Sequence, residues 1–161
     1  MSGQHAPSSV DEVRYLILAA QREGSRQFAA WLREHDLTPA QAEVLEVLHD
    51  HQPLTLAELG RLMVCEAGSP SRLVDALVRR GLVAREPGSR DRRAVALTLT
   101  PTGRSMLDST SGADVVRQII TDRLGSADLD QLAALLRRLL AGTPAEAAIT
   151  ARFPVRDGTG R

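Results

Sequence analysis

Arginine side chains are concentrated in one part of the chain. Seven arginines and three acidic residues lie between Ser69 and Gly103, which gives this segment a formal charge of +4. The whole chain of 161 residues has a formal net charge of zero, so the remainder carries the compensating negative charge. A guanidinium donates paired hydrogen bonds to a phosphate or to the edge of a guanine. A basic surface confined to one segment therefore indicates binding to double-stranded DNA.

The first part of this segment is predicted to be a recognition helix. Ser69-Pro70 supplies an N-cap and a proline for the first turn, and Gly81 is a typical residue at a helix C-terminus. Because a recognition helix presents its N-terminal side chains to the major groove, the candidate DNA contacts are Ser69, Pro70, Ser71, Arg72 and Asp75. Arg72 is expected to contact guanine or a phosphate. Arg79 and Arg80 either contact the DNA backbone or only complement the helix dipole.

A ribbon with an arginine-rich turn is predicted to follow the helix. Two short β-type runs, at 82–85 and 94–99, flank a polar turn that contains Arg90, Asp91, Arg92 and Arg93. One of Arg90, Arg92 and Arg93 is expected to enter the minor groove, where A·T tracts concentrate negative potential.

The elements that position these residues are mainly α-helical. Apolar residues at helical spacing predict one long amphipathic helix at 10–34. Capping boxes at 38–41 (TPAQ) and 55–58 (TLAE) open two short helices, and Thr100-Pro101 and Ser126 are expected to cap two more. The expected fold is therefore mainly α with a small β-ribbon wing, a winged helix-turn-helix with dimerisation helices at both ends of the chain.

The predicted organisation has five parts along the chain. They are a disordered N-terminus at 1–9, a dimerisation helix at 10–36, a winged helix-turn-helix lobe at 37–100, C-terminal dimerisation helices at 101–141 and an irregular or loosely helical tail at 142–161. The terminal helices carry apolar stripes that need a partner surface. A second copy of the chain is the simplest such surface, so a homodimer is expected.

Five motifs, taken in order, carry a resemblance to a known family. LTPAQAEVLEVL, TLAELGRLM, SPSRLVDALVRRGLV, DRR and LTPTG resemble the MarR family of bacterial transcriptional regulators, over about residues 10 to 140. The resemblance implies a homodimeric repressor on a pseudo-palindromic operator, released in many members by a small phenolic or lipophilic effector and in some by cysteine oxidation. By the same resemblance, Asp91 and Arg93 match the aspartate and arginine of the family's wing. Asp91 would then orient an arginine, because a carboxylate that faced phosphates would be repelled.

Other side chains leave alternatives open. Tyr15, Phe28 and Trp31 either line an effector pocket or form core and dimer contacts. Cys65 is either a redox trigger or a small, partly buried residue. The histidines near residues 35–51 match no strong zinc spacing, so no metal or other cofactor is expected.

Several function classes are excluded by the sequence. The chain has no Gly-rich phosphate loop, nucleophile elbow or metal-binding helix motif, which argues against an enzyme. The alternative function is a winged helix that contacts proteins without specific DNA binding. No apolar run approaches the roughly 20 residues of a membrane span. A single cysteine suits a reducing compartment, so a cytoplasmic location without membrane contact is expected.

Overall fold

A computed structural model describes residues 9–64, 69–88, 95–108 and 112–154. Within these ranges the chain forms eight helices and one antiparallel pair of strands. The elements in order are α1 (Ser9–Glu34), α2 (Pro39–His51), α3 (Leu56–Leu62), α4 (Pro70–Arg79), β1 (Val83–Pro87), β2 (Val95–Leu99), α5 (Pro101–Asp108), α6 (Gly112–Arg123), α7 (Ser126–Leu140) and α8 (Pro144–Arg152). The expectation of a mainly α-helical fold with a small β-ribbon is confirmed.

The two capping boxes that the sequence predicts are both formed. Thr38 Oγ1 accepts a hydrogen bond from the Gln41 amide at 3.2 Å, and the Gln41 side chain accepts one from the Thr38 amide at 2.9 Å. Thr55 and Glu58 make the same reciprocal pair at the start of α3. Each box satisfies two backbone donors that a helix N-terminus leaves unpaired. Local chemistry thus fixes where α2 and α3 begin.

Other helix ends differ in part from the sequence predictions. Ser69 is the N-cap residue of α4, but its side chain makes no capping hydrogen bond. The N-cap of α7 is Gly125, so the prediction that Ser126 caps this helix is wrong. Gly81 follows α4 with a φ of 69°, a left-handed conformation that favours glycine.

The tail is more ordered than the predicted organisation has it. The sequence predicts an irregular or loosely helical tail from residue 142 onward, and the irregular alternative is wrong for residues 144–152, which form α8. Thr143 Oγ1 accepts a hydrogen bond from the Glu146 amide at 3.3 Å, and Pro144 occupies the first turn. A threonine N-cap followed by proline is a strong helix start, and it opens α2 in the same way.

The core lies between α2, α3, α4 and the ribbon. Its largest fully buried side chains are Leu45, Leu48, Leu59, Leu77, Leu97, Val44, Val47, Val74 and Val83. The strands pair from Val83 opposite Leu99 to Pro87 opposite Val95. Leu54 exchanges two backbone hydrogen bonds with Leu97, of 3.2 and 2.7 Å, which attaches the ribbon to the turn before α3. The helix α4 and the ribbon are therefore held by one core.

The start of α5 explains the LTPTG motif. Thr100 Oγ1 accepts a hydrogen bond from the Gly103 amide at 3.0 Å, which confirms the predicted cap. The Thr100 hydroxyl also lies 2.6 Å from the Gly81 carbonyl oxygen. A Cβ atom at Gly103 would collide with the Leu82 carbonyl, so the approach of α5 to the end of α4 requires glycine.

The terminal helices leave apolar side chains uncovered. α1 packs along α6, and α7 has no buried residue. The exposed large apolar side chains of α1 and α7 are Val10, Val13, Leu16, Ile17, Leu132, Leu135, Leu136 and Leu139. Among the described residues, no helix is both long enough and apolar enough to cross a bilayer.

Candidate nucleic-acid interface

The N-terminal turn of α4 faces solvent. Val74 and Leu77 are fully buried and anchor the opposite side of the helix in the core. Ser69 and Arg72 are exposed, whereas Pro70 and Ser71 are half-buried. The positive end of the helix dipole lies at this same turn, so it adds to the charge of Arg72. The turn can therefore approach an anionic partner without rearrangement of the core.

Asp75 of α4 is joined to the ribbon. Its Oδ1 accepts a hydrogen bond from Arg85 Nη2 on β1 at 2.5 Å, and the two side chains are about 40% exposed, 41% for Asp75 and 39% for Arg85. The sequence places Arg85 in the basic segment but assigns it no role. Nothing in their spacing along the chain shows the contact, which depends on how β1 returns past α4.

The Arg80 side chain hydrogen-bonds to the protein's own backbone. Its guanidinium donates to the Asp36 carbonyl at 2.5 Å and to the His35 carbonyl at 2.7 Å, both in the turn between α1 and α2. The sequence left two alternatives open for this side chain, contact with the DNA backbone or simple solvation at the helix end. The structure shows a third arrangement, in which Arg80 ties the C-terminal end of α4 to the end of α1. Arg79, one residue earlier, is exposed.

Several predicted site residues lie outside the described part of the chain. These are Arg90, Asp91, Arg92 and Arg93 of the ribbon turn, and Cys65. The strands on either side of the ribbon turn are described, and their last register pair is Pro87 opposite Val95.

The three aromatic residues of α1 do not form one site. Phe28 and Trp31 stack with ring centroids 5.6 Å apart, and Trp31 in turn stacks on His35 at 4.5 Å. Trp31 is only 6% exposed and belongs to the core, whereas Tyr15 is 60% exposed. Of the three, Phe28 lines a cavity.

That cavity has a volume of about 800 Å³ and opens between α1, α2, α6, α7 and the C-terminal end of α8. Its apolar wall includes Phe28, Val116, Ile120 and Leu129. Its charged wall consists of Glu43, Glu46, Arg117 and Arg152. A mixed wall of this kind suits a small amphipathic molecule.

A buried charge cluster forms part of the cavity wall. Arg152 Nη1 lies 3.4 Å from Glu43 Oε1, and Arg152 Nη2 lies 3.5 Å from Glu46 Oε2. Burial raises the pKa of the Glu46 carboxyl, an effect that the neighbouring Arg152 guanidinium opposes without cancelling. Arg152 has no predicted role in the sequence, because the tail after residue 142 is predicted only as irregular or loosely helical, without bounds for a helix. Among the described residues, no group of three or more His, Cys, Asp or Glu side chains is placed to hold a metal ion.

Comparisons with known proteins decide the family. Residues 35–94 match the family model described as MarR family. YkoM of Bacillus subtilis, an uncharacterized HTH-type transcriptional regulator, is 30% identical over 107 residues, which cover 66% of this chain and 70% of YkoM. The chain belongs to the MarR family. It is a DNA-binding transcriptional regulator with a winged helix-turn-helix, in a family of regulators rather than enzymes.

Solved structures of MarR-family proteins agree with this assignment. A mutant MarR from Escherichia coli complexed with operator DNA has a TM-score of 0.65 and 26% identity, covering 83% of this chain and 99% of that one. BpsR of Bordetella bronchiseptica, solved to explain regulation of its DNA binding by 6-hydroxynicotinic acid, has a TM-score of 0.67 and 25% identity. The match covers 85% of this chain and 99% of BpsR.

Proposed function

We propose that this MarR-family regulator is a homodimeric repressor that occupies a pseudo-palindromic operator in bacterial DNA, and so acts in the cytoplasm. The observation that carries the proposal is the exposed N-terminal turn of α4, a helix that Val74 and Leu77 hold against the core and that Asp75 joins to Arg85 of the ribbon. A dimer would place two such helices in successive major grooves, roughly 34–36 Å apart. Occupation of a promoter by the dimer would exclude the transcription machinery.

The contacts within each half-site follow from exposure and charge. Arg72 reads a base edge or binds a phosphate, while Ser69, Pro70 and Ser71 approach the DNA backbone. The wing residues Arg90, Asp91, Arg92 and Arg93 meet the minor groove. Asp75 acts indirectly, because its carboxylate pairs with Arg85 and orients that guanidinium beside the helix.

Dimerisation is assigned to the two ends of the chain, residues 10–36 and 101–141, and DNA binding to residues 37–100. The support is the row of exposed apolar side chains on α1 and α7, which a single copy leaves in water. Burial of apolar surface at about 25 cal/mol per Å² is the main driving force for such an association. Opposed copies of these helices would cover the exposed leucines of α7.

The cavity beside Phe28 is proposed to hold a small aromatic or lipophilic effector. Its volume of about 800 Å³ lies in the range of small-molecule sites, and its apolar wall suits an aromatic or lipophilic compound. Because BpsR was solved in connection with 6-hydroxynicotinic acid, that compound is a practical first probe. An effector shifts DNA affinity only if it binds one arrangement of the two lobes better than the other.

The test measures the affinity of the purified protein for DNA duplexes at increasing salt concentrations, with fluorescence anisotropy as the readout. One duplex comes from the promoter region of the protein's own gene, and the control duplex is a scrambled sequence of equal length. Tight, salt-sensitive binding that prefers the native duplex is expected. Weak binding that is equal on both duplexes and insensitive to salt would favour a protein-contact role for the winged helix.

A further inference from the structure

The C-terminal helix α8 is attached to the DNA-binding lobe of its own chain. It packs against α3, and its residue Ala148 is buried. The last residue of the helix, Arg152, extends its guanidinium to Glu43 and Glu46 on α2. The Arg152 side chain is only 11% exposed, so this attachment lies within the lobe rather than on its surface.

Glu43 connects α8 to the segment that leads into the recognition helix. Its Oε1 accepts a hydrogen bond from the Val64 amide at 2.7 Å, and the same atom lies 3.4 Å from Arg152 Nη1. Val64 comes directly after Met63, the C-cap of α3. Four residues then separate it from Ser69, the N-cap of α4. One carboxylate oxygen therefore links α8, α2 and the end of α3.

The energetics make this link sensitive to Arg152. The Glu43 side chain is 9% exposed, and a buried carboxylate is tolerated only with a compensating charge and hydrogen bonds. Loss of the guanidinium would favour movement of Glu43 toward water. The Val64 amide would then lose its acceptor, because the same carboxylate oxygen serves both partners.

We propose that Arg152 is a positioning residue for DNA recognition. It holds Glu43 in place, Glu43 holds the Val64 amide, and the end of α3 fixed in this way sets where α4 begins. The helix α8 thus belongs functionally to the DNA-binding lobe, because its Arg152 positions the end of α3. The affinity measurements below rest on the DNA binding proposed above, whereas the amide measurement does not.

The central experiment compares Arg152→Met, which keeps the apolar stem, with Arg152→Lys, which keeps the charge. Hydrogen exchange of the free protein is read at the Val64 amide. Exchange at least about tenfold faster is expected in Arg152→Met, with partial protection retained in Arg152→Lys. Arg26→Met is the matched control, because Arg26 is an exposed arginine that pairs with Glu23 on its own helix. Unchanged protection of Val64 in Arg152→Met would overturn the proposal.

A double variant separates positioning from folding. Arg152→Met with Glu43→Leu removes the two most buried charges of the cluster and leaves Glu46, whose side chain is 25% exposed. Its melting temperature is therefore expected to be closer to that of wild type than the melting temperature of Arg152→Met is. It still has no acceptor for Val64, so its operator affinity is expected to remain about tenfold weaker. The salt dependence of binding should not change, since the Arg152 side chain is only 11% exposed and lies against Glu43 and Glu46.

The outcomes distinguish the two proposals. A stable double variant that binds the operator as tightly as wild type would refute the role of Arg152 and leave the repressor function intact. Wild-type protein that binds no duplex would refute the repressor function. The Val64 exchange would still decide whether Arg152 controls the end of α3.

Discussion

The Asp75 carboxylate on the recognition helix and the Arg85 guanidinium on β1 are joined by a hydrogen bond of 2.5 Å. The pair bridges the two elements that are proposed to enter adjacent grooves of DNA. An exposed ion pair contributes only about 0.2–1 kcal/mol to stability. Its value therefore lies in fixing the direction of Arg85 relative to α4 rather than in holding the fold together.

We expect Arg85→Met to weaken operator binding by about 1 kcal/mol or more, with little change in melting temperature. Asp75→Asn should have a smaller effect, because it frees Arg85 but also removes a negative charge near the DNA. A double-mutant cycle on operator affinity measures the coupling between the two residues. Purely additive losses would show that the pair does not act as a unit.

Arg72 is the exposed arginine at the N-terminal turn of α4, so its loss should affect sequence discrimination. Arg72→Ala is expected to cost about 1–3 kcal/mol on the native duplex and less on a scrambled duplex. Anisotropy titrations with both duplexes measure the ratio of the affinity for the native duplex to the affinity for the scrambled duplex. An equal loss on both would instead assign Arg72 to a phosphate.

Arg80 should behave differently, because its donors are used on the carbonyls of His35 and Asp36. Arg80→Met is expected to lower the free energy of unfolding by roughly 1 kcal/mol, the lower end of the range for hydrogen bonds from a charged group, because the site is exposed. The salt dependence of DNA binding should stay the same. If Arg80→Met were as stable to urea as wild type but its DNA affinity depended less on salt, the side chain would contact phosphate in the complex.

These contrasts show which parts of the molecule the sequence could predict. The starts of α2 and α3 followed from Thr38 and Thr55, because a capping box is complete within four residues. The start of α8 carried a comparable local signal, since TPAE at 143–146 differs from TPAQ at 38–41 only in its last residue. That helix could therefore have been predicted.

The contacts between distant residues could not be predicted in this way. Arg152 and Glu43 are 109 positions apart, and Arg80 and Asp36 are 44 apart. No periodicity or cap connects such pairs, because each contact depends on how whole helices pack. For the same reason, Phe28 and Trp31 are neighbours on α1 but differ in environment, one lining a cavity and the other filling the core.

Leu136 tests the proposed dimer. It is 37% exposed within the apolar stripe of α7, where a charge would face the second copy. Leu136→Asp is expected to give a folded monomer by light scattering coupled to size exclusion, and to lose operator binding with it. Gln131→Asp adds the same charge at an exposed polar position of α7 and is the control. A Leu136→Asp protein that remained a DNA-binding dimer would place the interface elsewhere.

The raised pKa of Glu46 predicts how stability changes with pH. Burial lifts this pKa above 4.5, so the folded protein binds a proton more readily than the unfolded chain does. The resulting stabilisation is complete below pH 4.5 and is lost as the pH rises through the raised value. Glu46→Gln cannot ionise, so its stability relative to wild type should increase between about pH 4 and pH 7.

Urea unfolding of both proteins across this pH range measures the difference directly. The other charged groups that act on Glu46, namely Arg152, Glu43 and Asp50, are present in both proteins, so the comparison isolates the Glu46 carboxyl. Glu12→Gln, at an exposed position of α1, controls for the substitution itself. A stability difference for Glu46→Gln that stayed constant with pH would mean that the carboxyl ionises equally easily in the folded and unfolded chains. In that case the Arg152 guanidinium would fully offset the cost of burial.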